Sequence, residues 1–168
     1  TLIRFVVYGE ARSAGSKRAF FKAGMKRAIV IEDNRKSAGW REQLHSAAAQ
    51  AMNGAPLMDG PLRLEGTFYR PRSKSDLRKN GTPRPSAPTH PATRPDATKL
   101  LRALEDALTG IVWRDDAQVC DQRARKEFGE PARVGASAVQ AAQAAARAQP
   151  FADAATFYRW ALDAQGVD

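Results

Sequence analysis

Three aspartates flank one short amphipathic segment in the second half of the chain. Asp96 precedes the segment, and the adjacent Asp115 and Asp116 follow it, directly after an apolar run of Ile, Val and Trp. Two neighbouring carboxylates beside buried residues repel each other unless a cation or a proton lies between them. Carboxylate oxygens are ligands that Mg²⁺ prefers, together with water. We therefore predict that these three residues hold Mg²⁺, with Mn²⁺ able to replace it, against a phosphodiester.

Each acidic position also has a simpler explanation. Asp96 follows Pro95 and stands where a helix N-cap is expected, and a cap needs no metal. An isolated Asp-Asp pair is more often a solvated turn than a metal site. The metal hypothesis therefore depends on whether the intervening segment brings Asp96 to the pair.

The element between the acidic positions is predicted to be a helix. Its apolar residues recur at helical spacing: Leu100, Leu101, Leu104, Ala107, Leu108 and Ile111. Either Asp96 or Thr98 can serve as the N-cap, and Gly110 stands where a left-handed C-cap is expected. If the helix packs back on a strand predicted for residues 119–128, Asp96 and the Asp115–Asp116 pair meet at one end of it.

The residues on both sides of this helix resemble the RusA family of Holliday junction resolvases. Residues 94–102 (RPDATKLLR) and 105–119 (EDALTGIVWRDDAQV) follow that family's pattern of Pro-Asp-x-Asp-Asn-Leu-x-Lys, then Asp-Ala-Leu, then an aromatic residue near Asp-Asp-x-Gln-Val. A weaker likeness extends toward the N-terminus and covers about three quarters of the chain. The resemblance implies a Mg²⁺-dependent endonuclease that cuts four-way junctions in recombination and repair, as a homodimer. It implies that Asp96 and Asp116 are metal ligands, with Asp115 close by.

Three positions near the motif depart from the family pattern. Arg102 replaces the functional lysine; it keeps a charge that can stabilise the phosphate in the transition state, but with different geometry. Thr98 replaces the second carboxylate, and Lys99 replaces the asparagine after it. Three consequences stay open: weaker metal binding, substitution by Glu105 or another acid, or a protein that binds junctions and cuts them poorly.

The composition favours a polyanionic partner. The 168 residues carry a net charge of +9 and a pI of about 10.2, which makes nucleic acid the first choice. The single Cys120 excludes an internal disulfide and a cysteine zinc site, and two histidines argue against a histidine-rich metal site. No signal peptide or membrane span is recognisable, so we expect a cytoplasmic protein without a membrane partner. The family resemblance implies a bacterial protein and leaves a phage or prophage origin open.

Basic residues gather in two stretches before the acidic motif. In residues 9–27 they alternate with Phe20 and Phe21, as in segments that bind nucleic acid, although a hairpin with buried aromatics is as consistent. Residues 70–94 form a long proline-rich loop with seven basic residues and one acid, which suggests a mobile segment that orders on DNA. The predicted DNA contacts are Lys17, Arg18, Arg70, Arg72, Lys74, Arg78, Lys79, Arg94 and Lys99.

The remaining pattern predicts an α/β (α+β) fold with a small mixed, largely antiparallel sheet packed with helices. Strands are expected at residues 2–8, 28–32, 62–69 and 119–128, with a last short one from Arg133, and a further helix ends near Met52. A RusA-like nuclease domain then spans residues 1–134. Residues 135–168 form an alanine-rich extension, with helices predicted from Ser137 and again after Pro150.

The leading hypothesis is thus a Mg²⁺-dependent resolvase acting on branched DNA as a homodimer. The alternative is a junction- or branch-binding protein with weakened or lost catalysis. A basic scaffold or RNA-binding protein is a third reading of the composition, and it predicts no preference for junctions over duplex.

Overall fold

The computed structural model describes residues 1–13, 17–20, 29–32 and 35–140, with only the backbone described for 17–20, 29–32, 35 and 36. Its elements in chain order are β1 (Leu2–Tyr8), β2 (Lys17–Phe20), β3 (Ile29–Glu32), α1 (Arg35–Met52), β4 (Leu62–Arg70), α2 (Ala97–Leu108), β5 (Val119–Phe128) and β6 (Arg133–Gln140). The main sheet has the order β1-β6-β4-β5, in which only β4 and β5 run parallel, while β2 and β3 form a separate antiparallel pair. The predicted mixed, largely antiparallel α+β fold is confirmed.

Two helices cover one face of the main sheet. Helix α1 contacts β1, helix α2 contacts β4 and β5, and the two helices contact each other. The five predicted apolar residues from Leu100 to Leu108 are all buried in the common core. Gly66 of β4 allows the close approach of α2, since a Cβ there would lie 3.1 Å from Leu104 Cδ2. This packing fixes the position of α2 and of both its ends.

Strand β6 lies between β1 and β4 in the sheet, and its length differs from the prediction. The chain stays extended through Gln140 and pairs with β1 on one side and β4 on the other. The helix predicted from Ser137 is therefore wrong for residues 137–140. Alanine has the highest helix propensity, but intrinsic propensity is a weak preference, and two ladders of backbone hydrogen bonds plus burial of small side chains outweigh it. The rest of the predicted extension, residues 141–168, lies outside the described residues.

The long loop between β4 and α2 has a defined path. Arg72 donates to the carbonyl of Pro88 at 2.7 Å and stacks over the Phe128 ring, 4.0 Å from its centroid. Arg84 donates to the carbonyl of Leu77 at 3.1 Å, beside an isolated bridge between Leu77 and Pro83. None of the helices in the described ranges is long and apolar enough to cross a membrane.

Candidate active site

The predicted acidic residues lie at opposite ends of α2. Asp96 is the N-cap residue, and Asp116 contacts Thr109, the C-cap residue. Twelve helical residues rise about 18 Å, so the two carboxylates are separated by roughly that length. The expectation that the helix brings Asp96 to the Asp115–Asp116 pair is therefore wrong within one chain. Across residues 1–13 and 37–140, no three His, Cys, Asp or Glu side chains form a cluster suited to a metal ion.

The carboxylate of Asp116 is held by residues at the C-terminal end of α2. Its Oδ1 accepts a hydrogen bond from the Thr109 hydroxyl and another from Trp113 Nε1 at 3.3 Å. Trp113 is fully buried, so its indole N–H has a fixed position in the core. A buried anchor of this kind orients an exposed carboxylate without neutralising it.

Asp115 turns away from its neighbour. It is the N-cap of a 3₁₀ turn at Asp116–Gln118, and its Oδ1 accepts from the Ala117 N–H at 2.8 Å. The Gln118 side chain completes the capping box by accepting from the Asp115 N–H at 3.1 Å, and it donates to the Met58 carbonyl at 3.0 Å. The carboxylates of Asp115 and Asp116 are thus held by different hydrogen-bond donors. Asp115 has a local structural role here, and its place as a metal ligand stays a prediction.

Glu105 supplies a further carboxylate at the Asp116 end of α2. Burial, and then the nearby charge of Asp116, raise the pKa of Glu105, while a hydrogen bond from Gln122 Nε2 opposes that shift. The charge of Arg102 also lowers the Glu105 pKa, which puts the arginine within electrostatic reach of this end of the helix. The predicted Arg102 therefore lies near Glu105, about one helical turn before it on α2. Gln122 was absent from the predicted site, because only the packing of α2 on β5 brings it to Glu105.

Asp96 lies in a different electrostatic setting. Its side chain is 59% exposed and makes no capping hydrogen bond to α2. Lys99 Nζ lies 3.5 Å from Asp96 Oδ2, one helical turn away. Lys126 of β5 donates to the carbonyls of Thr93 and Pro95, which holds the entry to the helix in place. The carboxylate thus faces solvent beside a cation.

A cleft of about 330 Å³ opens beside Asp96. Its charged walls come from the end of β1, the end of β4 and the start of α2. They are Glu10, Arg12, Arg70, Arg94, Asp96 and Lys99. Three of the predicted DNA contacts, Arg70, Arg94 and Lys99, therefore meet here. Glu10 and Arg12 were absent from the predicted site, because only the sheet order brings the end of β1 to α2.

The remaining predicted DNA contacts divide into two groups. The Arg72 guanidinium donates to the Pro88 carbonyl and stacks over the Phe128 ring. Lys74, Arg78 and Lys79 are exposed, with no side-chain hydrogen bond or ion pair to any of the residues whose side chains are described. The side chains of Lys17 and Arg18 lie outside the described residues, although their backbone belongs to β2.

The donor sets at both ends of α2 suit a hard cation only in part. Asp116 and Glu105 offer two carboxylates at one end, and Asp96 and Glu10 line the cleft at the other. Mg²⁺ in nucleic-acid enzymes commonly takes one or two protein carboxylates and completes its shell with water and substrate phosphate. The Asp116 end supplies that number with Asp116 and Glu105, whereas at the other end Glu10 is paired with Arg12 and leaves Asp96 as the available carboxylate.

Comparison with known proteins agrees with the pattern around α2. The family model described as Endodeoxyribonuclease RusA matches residues 11–136, which include both ends of α2 and Arg12 of the cleft. A similar protein is the "Uncharacterized protein YqaN" of Bacillus subtilis (strain 168). It is 28% identical over 134 residues, which is 79% of this chain and 92% of that protein.

Proposed function

This chain belongs to the RusA endodeoxyribonuclease family, and from that premise we propose that it is a Mg²⁺-dependent endonuclease that resolves four-way DNA junctions in recombination and repair. Family membership makes it a nuclease, a hydrolase of phosphodiester bonds. The observation that carries the finer proposal is the arrangement along α2, with an anchored carboxylate at one end and an acidic and basic cleft at the other. Net charge of +9 supplies the attraction to DNA.

Residues at the two ends of α2 would divide the chemistry. Asp116 and Asp96 would hold Mg²⁺, with Asp115 and Glu105 beside Asp116. When bound, the ion polarises the scissile phosphate and lowers the pKa of an attacking water. Trp113 keeps the Asp116 carboxylate oriented through its indole N–H. Arg102 offsets negative charge that builds up on the phosphate.

The separation of about 18 Å along α2 supports a homodimer. In a two-fold pair whose α2 helices run antiparallel, the Asp96 end of one copy lies beside the Asp116 end of the other. Two equivalent sites then form, and each takes carboxylates from both copies. Two such sites suit a four-way junction, in which two strands are cut.

The test is cleavage of a labelled synthetic four-way junction with Mg²⁺, beside a linear duplex of matched sequence. We expect paired nicks on the junction, little cutting of the duplex, and loss of the nicks in Asp96→Asn. Equal cutting of junction and duplex would contradict the junction specificity. Undiminished cutting by Asp96→Asn would contradict the role of that carboxylate.

A second candidate is a junction-binding protein with weakened catalysis. Lys99 compensates the charge of Asp96 at 3.5 Å, and the exposed Thr98 offers a hydroxyl where the family pattern has a carboxylate. On this candidate the wild type binds the junction without cutting it. The double variant Thr98→Asp with Lys99→Asn would then gain Mg²⁺-dependent nicks. Efficient cutting by the wild type decides for the first candidate.

A further inference from the structure

We propose that the cleft beside Asp96 binds one phosphate group of the DNA backbone, and that Glu10 is a competing carboxylate that occupies its arginines until the phosphate arrives. The inference rests on the proposed function only for the identity of the ligand as DNA. The cleft holds four cationic side chains and two carboxylates, so its net charge is about +2. A phosphodiester carries a single negative charge, which this site attracts.

Glu10 is the residue that pairs with the arginines in the absence of DNA. Its Oε2 accepts from Arg12 Nη2 at 2.7 Å, and its Oε1 lies 3.5 Å from Arg70 Nη2. Both partners of the Glu10–Arg12 pair are well exposed, at 45% and 37% of their side-chain surface. Exposed ion pairs are weak, because water screens them. A phosphate that binds an arginine through two N–H groups can therefore displace Glu10 at little cost.

The remaining walls of the cleft are arranged for an anion. Arg70 Nη1 donates to the Arg94 carbonyl at 2.6 Å, which holds the guanidinium between β4 and the start of α2. The Asp96 side chain does not cap α2, so it leaves the first-turn N–H groups of the helix to other acceptors. Lys99 stands on that turn, paired only loosely with Asp96 at 3.5 Å. A phosphate seated here would lie next to a carboxylate proposed to hold Mg²⁺.

The experiment measures binding of the labelled four-way junction in EDTA, at several salt concentrations, for Glu10→Gln and Arg12→Ala. Glu10→Gln should tighten binding by about two- to five-fold, since it frees two arginines from an exposed ion pair. Arg12→Ala should weaken binding and reduce the slope of log K against log salt by about 0.9, the value for one phosphate contact. Both side chains are exposed, and the amide keeps the size of the carboxylate, so folding should persist; melting curves check this.

A second ion pair provides matched controls. Arg123 lies 3.7 Å from Glu65 on the sheet, with 41% of the arginine side chain exposed. Glu65→Gln removes the same charge as Glu10→Gln, and Arg123→Ala the same as Arg12→Ala. The inference is overturned if Glu65→Gln tightens binding as much as Glu10→Gln, or if Glu10→Gln leaves binding unchanged or weaker. Should Arg12→Ala fail to fold, the two glutamate variants decide alone.

Failure of this inference and failure of the proposed function give different results. Junction cleavage by the wild type with no specific effect of Glu10→Gln rejects the phosphate cleft and leaves the nuclease function standing. A specific gain in binding by Glu10→Gln without any cleavage rejects the resolvase activity and leaves the cleft standing.

Discussion

The two ends of α2 differ in how their carboxylates are held. At the C-terminal end, Asp116 is anchored by Thr109 and by the indole of the fully buried Trp113. At the N-terminal end, Asp96 is exposed, uncapped and paired loosely with Lys99, beside a cleft rich in arginine. One end presents an oriented carboxylate, and the other presents cations that a phosphate can engage.

Under the proposed function, the Asp116 end would hold the cation firmly, and the Asp96 end would contribute a ligand and contact the substrate phosphate. An anchored carboxylate loses little entropy when it takes up a cation, since its rotamer is already fixed. A loosely paired carboxylate among arginines can rearrange when DNA arrives. Under that proposal neither end would complete a site alone, because twelve helical residues separate the two ends by about 18 Å within one chain.

The largest effect is expected from Asp116→Asn. The amide keeps the hydrogen bond from Trp113 but removes a charged ligand, and metal assistance contributes several kcal/mol to such reactions. Cleavage of the junction in single turnover should fall by about 100-fold or more, while binding in EDTA stays at least as tight as in the wild type. Asp59→Asn, at an exposed position between α1 and β4, is the matched control and should cut normally. Equal losses in both variants would remove Asp116 from the chemistry.

A mixing experiment tests whether the two ends meet across a dimer. Asp96→Asn and Asp116→Asn should each be inactive, and a heterodimer of the two would contain one intact composite site and one doubly altered site. After subunit exchange about half of the dimers are mixed, so cleavage should recover to about a quarter of the wild-type rate. If each site instead belonged to a single chain, the mixture would stay as inactive as its components.

The position of α2 and the distance between its two ends could be predicted from the sequence. The helical period predicted α2 from Leu100 to Leu108, although it also included Ile111, which lies past the end of the helix. The twelve residues of α2 set the distance between the flanking aspartates. Local sequence patterns could not predict the strand order. That order places Glu10, which follows β1, beside the start of α2. The extent of β6 was misjudged for a related reason, because central pairing in a sheet is a tertiary effect that composition does not report.

The basic loop of residues 70–94 contains cations that bond within the protein and cations that we predict to contact DNA. Lys74, Arg78 and Lys79 face solvent, whereas Arg72 and Arg84 bond to loop carbonyls. Replacing the first three by alanine should weaken binding to junction and duplex alike, by about ten-fold, and reduce the salt slope by up to about 2.7 for three lost contacts. Replacing Arg72 should instead lower the melting temperature. A triple variant with an unchanged salt slope would show that the loop does not touch phosphate.

The smallest effect concerns the charge of Glu105. Burial and the charge of Asp116 raise the pKa of this carboxyl in the folded chain, so ionisation on the way to neutral pH costs stability. The contribution of the protonated acid is fully present below the unfolded pKa of about 4.3 and is lost as pH rises through the higher folded value. Glu105→Gln keeps an acceptor for Gln122 and has no charge to lose.

In EDTA the melting temperature of Glu105→Gln should therefore rise relative to that of the wild type between pH 4 and pH 7. The gain should be a few degrees at most, because Glu105 is only partly buried. Asp116→Asn should reduce this pH dependence without abolishing it, since burial is the larger cause of the raised pKa. A pH dependence that Asp116→Asn leaves unchanged would mean that the two carboxylates do not interact. The Asp116 end of α2 would then hold one isolated acid, and a cation there would need its other ligands entirely from the partner copy and the DNA.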